Sequence, residues 1–347
     1  PDVLGLAQSD DFIDFFSSLG LGMLFFFAGY EIDFERIRGT PLRLAMIGWV
    51  ISLGLAYAIG GILAAAGVVM SLLFTGSALA TTAIGTLVPI LSDANEIKTR
   101  FGTYLLAAGA VGEFGPILLI TLFFSTGNPL SSALVLVAFV GIAVFAAVFA
   151  VRGVGAGWGA FERNMEKSSQ LPIRLAVVLI FALATLATDL GLDLLLGGFV
   201  AGIIARVALG GREVEVLESK LSAVGYGFLI PFFFVVSGIG FELDALLDDP
   251  AKLAELPLFM AAFLVVRGAP ALLLYRKALD ARDRAALAFF SATELPLVVA
   301  ITAIAVDNGD MTATTAASLV GAAILSTALF PLIALRLRGD RAGVGGA

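Results

Sequence analysis

The chain has 347 residues, 59% of them apolar and 14% charged, with a net charge of −7 and a mean hydropathy of +1.02. Soluble domains carry about 25% charged residues, so a soluble globular protein is excluded and a polytopic helical membrane protein remains. Cysteine and histidine are both absent, which removes disulfides, thiolate or imidazole metal sites and imidazole acid–base chemistry; the negative balance gives no reason to expect a nucleic-acid partner.

Apolar runs bounded by charge, glycine or proline predict eleven helices, over 12–29, 41–66, 71–92, 101–125, 129–151, 171–188, 192–209, 220–241, 254–275, 283–306 and 312–337. The longest polar connector, 152–170, contains Gly153, Gly155, Gly157 and Gly159 without a following Gly-Lys-Ser/Thr, and reads as a flexible linker, not a phosphate loop. Basic residues fall after alternate helices: Arg36, Arg38 and Arg43, then Lys98 and Arg100, and so on to Arg336, Arg338 and Arg341. Nineteen of the 21 lie on one side, with Lys252 and Arg267 the exceptions. The positive-inside rule makes this side cytoplasmic. The expectation is a multi-pass protein of the plasma (inner) membrane with a cytoplasmic C-terminus and residue 1 outside. The loop after 220–241, on the opposite side, is acidic, with Glu242, Asp244, Asp248, Asp249 and Glu255.

An internal repeat runs through the chain. Gly29-Tyr30-Glu31-Ile32-Asp33-Phe34 returns 211 residues later as Gly240-Phe241-Glu242-Leu243-Asp244-Ala245, each time ending a Phe-rich helix. At nearly the same offset Ala80-Thr81-Thr82 matches Ala292-Thr293-Glu294. The charge tally places the two copies on opposite faces, so the halves are inverted, as in secondary transporters. The whole chain, 1–347, reads as one transmembrane domain: a first repeat over 1–125, linker helices over 126–190, a second repeat over 191–338 and a cytoplasmic tail over 339–347. The helix at 192–209 has no mate in the first repeat, and the chain opens on Pro1-Asp2-Val3. The expectation is an N-terminal truncation, with at least twelve helices in the intact protein.

The segment 71–92 holds Gly76, Thr81, Thr82, Gly85 and Pro89; its repeat mate holds Ser291, Thr293, Glu294 and Pro296. Proline removes a backbone donor, and interrupted helices persist within a bilayer where they line a cavity. Two such segments in matching positions point to a midplane binding site; the alternative is a pair of ordinary proline kinks with hydroxyls bonded back to their own helices. Glu113 lies near the middle of an apolar helix, in Val111-Gly112-Glu113-Phe114-Gly115-Pro116. A charge at such depth costs about 2.5–3.5 kcal/mol on insertion scales. A buried carboxylate that holds either a proton or a metal ion, but not both, is the simplest antiport device; the alternative is a permanently protonated acid bonded to a carbonyl. Arg267 is a fixed positive charge, pairing with Glu113 or Glu294 or offsetting the dipole ends of the broken helices. Glu294 is either a second ion ligand or the partner of Arg267. Gly198 and Gly202 give a small-xxx-small spacing that predicts close helix packing.

These residues resemble the monovalent cation:proton antiporters, the Kef-type and sodium/hydrogen exchanger branches, over essentially the whole chain. The repeated Gly-aromatic-Glu-aliphatic-Asp ends, Ala292-Thr293-Glu294-Leu295 and Val266-Arg267-Gly268-Ala269 carry the resemblance. It implies an all-α, inverted-repeat sodium/proton antiporter fold with two broken crossing helices, a core domain, a dimerisation domain and elevator-like movement of the core. Where relatives often carry two adjacent polar groups, this chain has Gly112-Glu113, and Thr81-Thr82 stands where Thr-Asp or Thr-Ser is common.

The expected function is exchange of Na⁺ or K⁺ for protons, without a cofactor, by a homodimer in the bilayer. Glu113 would bind the proton and the metal ion in turn, Thr81 and Thr82 would complete the cation shell, and Arg267, Glu294 and Thr293 would tune the site. A related carrier for an organic anion or other solute, held by Arg267, is the rival reading, and a channel on the same scaffold a third. An intramembrane enzyme is disfavoured: a serine nucleophile would lack an imidazole base, and Lys252 lies outside the membrane core.

Overall fold

The computed structural model describes residues 10–32, 34–123, 134–149, 151–152, 170–192, 194–209, 215–239 and 250–339, together with 241, 243 and 246. In chain order the helices are α1 (Asp11–Tyr30), α2 (Phe34–Ile37), α3 (Thr40–Ala65), α4 (Leu72–Leu79), α5 (Ile84–Asp93), α6 (Arg100–Phe123), α7 (Leu134–Phe149), α8 (Leu171–Asp189), α9 (Leu194–Leu209), α10 (Glu215–Val224), α11 (Ile230–Ile239), α12 (Pro250–Leu274), α13 (Ala281–Ser291), α14 (Pro296–Asp307) and α15 (Ala313–Arg338). One turn of wider π-helix, Gly225–Leu229, joins α10 to α11, and a 3₁₀ turn, Tyr275–Lys277, closes α12. There is no strand among the described residues, and eight of their segments are long and apolar enough to cross a membrane. The predicted helix at 129–151 is described over 134–149 and 151–152. The 153–169 connector, the acids at 242, 244, 248 and 249, and most of the second copy of the repeated helix end lie outside the described residues.

The chain divides into two compact units, 1–33 with 117–240, and 34–116 with 241–347, so each unit draws on both repeats. In the first unit α1 packs on α9 and α11, and α8 packs on α9. The α1–α9 contact depends on glycine. A Cβ on Gly29 would stand 2.0 Å from the Phe199 carbonyl oxygen, and one on Gly202 would stand 2.0 Å from that of Phe26. Gly198 lies close against Gly22 in the same way. The small-residue spacing therefore marks a backbone-to-backbone approach, as predicted. At the end of α1, Tyr30 donates to Glu218 (3.0 Å), and the Arg206 guanidinium lies 3.8 Å from Glu218 and over the Tyr30 ring. Burial, and then the nearby charge of Glu218, push the Glu31 carboxyl up to about 7, with Arg206 pulling it back.

The second unit packs α12 against α3, α13 and α15, with α4 on α3 and α14 on α15 and α4. Its helix starts follow from sequence: the side chains of Ser71, Asp280 and Thr312 accept backbone N–H groups at the heads of α4, α13 and α15, and Pro296 opens α14, where its missing donor costs nothing. Arg338, in the last turn of α15, closes this unit's other end. It donates to Glu96 (2.7 and 2.8 Å) and to Asp283 (2.6 Å), over the face of Phe101.

Candidate site at the crossing of two broken helices

Both predicted interruptions are real and in register. α4 ends at Leu79 and α13 at Ser291, 212 positions apart, and the same offset separates the starts of α5 and α14. Between them lie unwound segments of equal length, 80–83 and 292–295. The predicted breakers only partly explain the place. Pro296 does sit at a break, but Pro89 lies inside α5, and helices α6, α12 and α15 also run on through their prolines. What holds the first break open is tertiary. Ala83 N–H donates to the Thr293 carbonyl (2.9 Å), the Thr82 hydroxyl donates to the Ser291 carbonyl (2.6 Å), and Trp49 Nε1 donates to the Ala80 carbonyl (3.2 Å). These contacts give the freed backbone groups the partners they need in a bilayer. The second break is held from α15, where Ser326 accepts the Glu294 N–H (3.1 Å) and Thr327 donates to the Glu294 carbonyl (2.7 Å).

Glu113, on α6, is 1% exposed. The backbone N–H groups of Gly85 and Ile84, at the head of α5, face its carboxylate, the position in which a helix terminus favours negative charge. Its Oε2 has no hydrogen-bond partner. Glu294 is fully buried in the second unwound segment; its Oε2 is hydrogen-bonded with the Thr81 hydroxyl, and its Oε1 has no partner.

Arg267, on α12, is 5% exposed. It pairs with neither carboxylate: its Nε donates to the Thr82 hydroxyl (2.9 Å), Nη1 to the Ser52 hydroxyl (3.2 Å) and Nη2 to the Ala108 carbonyl (3.2 Å). The expected alternatives of direct pairing with Glu113 or Glu294 are thus replaced by three neutral acceptors. The longer-range electrostatic coupling of Arg267 runs to Glu294. A Cβ on Gly112 would stand 2.2 Å from Arg267 Nη2 and 2.8 Å from the Thr82 hydroxyl. Glycine at this position leaves room for the guanidinium.

The structure therefore brings Thr81, Thr82, Arg267 and Glu294 into contact, and Glu113 faces them from a separate helix, α6, against the first turn of α5 that follows Thr81 and Thr82. Thr293 enters differently, since its hydroxyl turns back to the Phe289 carbonyl (3.2 Å) and only its own carbonyl reaches across to Ala83. Sequence reasoning misses Ser52, Trp49, the role of Gly112 and the Ser326-Thr327 pair. Ser52 leaves a trace, a polar residue on an apolar helix; the others leave none.

Comparison with known proteins agrees with this architecture. The profile of the sodium/hydrogen exchanger, transmembrane family matches residues 1–335, and the chain belongs to that family. Its members are exchangers and not enzymes, and the chain is a multi-pass membrane protein. It is 26% identical over 351 aligned positions to YjbQ of Bacillus subtilis, a candidate Na⁺/H⁺ antiporter, covering 94% of this chain and 55% of that protein. It is 24% identical over 259 positions to the Na⁺/H⁺-K⁺ antiporter GerN of Bacillus cereus, covering 71% of this chain and 63% of GerN. The chain thus spans a little over half the length of the first of these relatives. The solved structure of the sodium proton antiporter MjNhaP1 from Methanocaldococcus jannaschii superposes with a TM-score of 0.64 over 98% of this chain and 87% of that one, at 17% identity, and shares its fold.

Proposed function

We propose that this protein exchanges a monovalent cation, Na⁺ or K⁺, for a proton across the membrane, with Glu113 as the carboxylate that the two occupy in turn. One observation carries the reading: an almost fully buried carboxylate, set against the head of a broken helix, with one oxygen lacking any partner. A buried carboxylate with an open oxygen is costly unless a proton or a cation fills the place. Thr81 and Thr82 lie in the unwound segment that leads into that helix head, and their hydroxyls are neutral oxygens suited to a hard monovalent ion. The names of the relatives above, Na⁺/H⁺ and Na⁺/H⁺-K⁺ antiporters, support the same substrates. Arg267 and Glu294 set the field around the site, and Thr293 ties the two segments through its carbonyl. The second unit, which holds both broken helices, moves as the elevator core, and the first forms the homodimer contact. The basic helix ends face the cytoplasm of a plasma (inner) membrane, and the C-terminus with them.

The test is a pH gradient imposed on proteoliposomes containing the protein. Addition of Na⁺ or K⁺ collapses the gradient in wild type, read by a pH-sensitive dye, and Glu113→Gln abolishes the response. A wild type indifferent to either cation overturns the proposal in favour of the rival carrier of organic anions. The specific support for that rival is a buried arginine without a carboxylate partner. In that case Arg267→Gln abolishes substrate binding and Glu113→Gln does not.

A further inference from the structure

Six acidic or basic side chains are buried among the described residues: Glu96, Glu113, Glu255, Arg267, Glu294 and Arg338. Three are held in ion pairs, Arg338 with Glu96 and Glu255 with Lys252. The other three, Glu113, Arg267 and Glu294, have no ion-pair partner among the described residues, and all three stand at the crossing of the broken helices. Each of the two carboxylates keeps one oxygen without a hydrogen bond, while all three nitrogen positions of Arg267 are taken by neutral oxygens. Thr81 and Thr82 connect two of them, because Thr81 bonds Glu294 and its neighbour Thr82 accepts from Arg267, while Glu113 faces the backbone of Ile84 and Gly85 just beyond.

We propose that Glu294 is a second acidic member of the exchange site, and that together with Glu113 and Arg267 it fixes the site's charge so that a single H⁺ or a single monovalent cation neutralises it. The inference rests on the cation/proton reading above. Two ionised carboxylates and one guanidinium leave the crossing with one uncompensated negative charge. One proton completes it, whichever carboxylate takes it, and so does one Na⁺ or K⁺. A net charge inside a bilayer is opposed by the low dielectric, so the states that cross are the two neutral ones. Exchange is then one for one and moves no net charge. Without Glu294 the same site is neutral when empty and positive when it holds the cation.

The test is cation-driven proton flux in proteoliposomes with the membrane potential set by a gradient of the permeant anion thiocyanate, using Na⁺ or K⁺ as the driving ion. Wild-type flux is indifferent to the clamped potential. Glu294→Gln makes it voltage-dependent and weakens apparent affinity for the driving ion at least tenfold. Arg267→Gln combined with Glu294→Gln restores the single negative charge, returning affinity to within about threefold of wild type and removing the voltage dependence. Glu294→Asp, which keeps the charge, stays voltage-independent and serves if the double variant fails to fold. Voltage-dependent flux in wild type or in Glu294→Asp overturns the inference, as does a folded double variant whose defects are the sum of the single ones. A wild type in which neither Na⁺ nor K⁺ drives proton flux instead overturns the exchange reading itself.

Discussion

Two arginines are buried in the same unit, and they are buried differently. Arg338, at a helix end, is wrapped by two carboxylates and an aromatic face. Arg267, in the middle of α12, has only hydroxyls and a carbonyl around it. Directly pairing Arg267 would tie up a carboxylate at the crossing; as it stands, Glu113 and Glu294 each keep one oxygen without a hydrogen bond. A buried charge in direct ion pairs reads as fastening, and one held by neutral groups, with its opposite charge at a distance, fits the exchange site proposed above.

The largest expected effect separates the two on stability. Arg338→Gln strands Glu96, which is wholly buried, and costs about 3–5 kcal/mol. Thermal unfolding in detergent should show it, while exchange per folded molecule stays unchanged. Arg267→Gln, by contrast, removes hydrogen bonds to neutral groups, costs about 1–2 kcal/mol, and cuts cation-driven exchange at least tenfold. Equal stability losses in the two variants would erase the distinction.

Next is the room made for Arg267. Gly112→Ala puts a methyl group where Nη2 lies, and overpacking of this kind costs about 1–3 kcal/mol. The guanidinium must leave Thr82 or Ala108, so exchange falls along with stability. Gly115→Ala, which meets the Trp49 ring instead, costs similar stability through a different neighbour, and the pair of variants tells whether displacement of Arg267 or of Trp49 is the more damaging.

The smallest effect lies in the other unit, where charge is managed at a helix end. The Glu31 carboxyl is raised from 4.5 to about 7. Between these values the folded chain holds a proton that the unfolded chain has released. Stability therefore falls as pH rises from 4.5 to about 7, and the whole loss remains above that range. Glu31→Gln should flatten this part of a thermal-stability profile measured against pH; an unchanged slope would assign it to other groups.

Much of this is legible in the chain. Mid-helix Glu113 and Arg267 stand out because charge inside an apolar run is expensive, and the repeat locates both interruptions because duplicated segments keep their spacing. The partners of Arg267 are not legible. Ser52 lies 215 positions away in sequence and Ala108 contributes a carbonyl, which carries no residue signature. In sequence Gly112 is only the absence of a polar group, although its smallness is what admits the guanidinium. The Glu96–Arg338 pair spans 242 positions, and nothing local in either segment announces it. Helix boundaries differ where tertiary packing outweighs local signals: α12 starts at Pro250, four residues before its predicted start, and the helix predicted over 220–241 begins at Glu215 and includes a π turn.

The crossing also records how a duplication ages. By symmetry the bond from Ala83 N–H to the Thr293 carbonyl should have a twin from Leu295 to Thr81, and among the described residues there is none. The second segment leans on α15 through Ser326 and Thr327, and the first leans on the second. The α15 anchorage belongs to the second segment alone, so a change in 292–295 disturbs both it and the bond to Ala83, whereas a change in 80–83 leaves the backbone anchorage on α15 untouched. The two copies, matched in length and place, have become a support and its load.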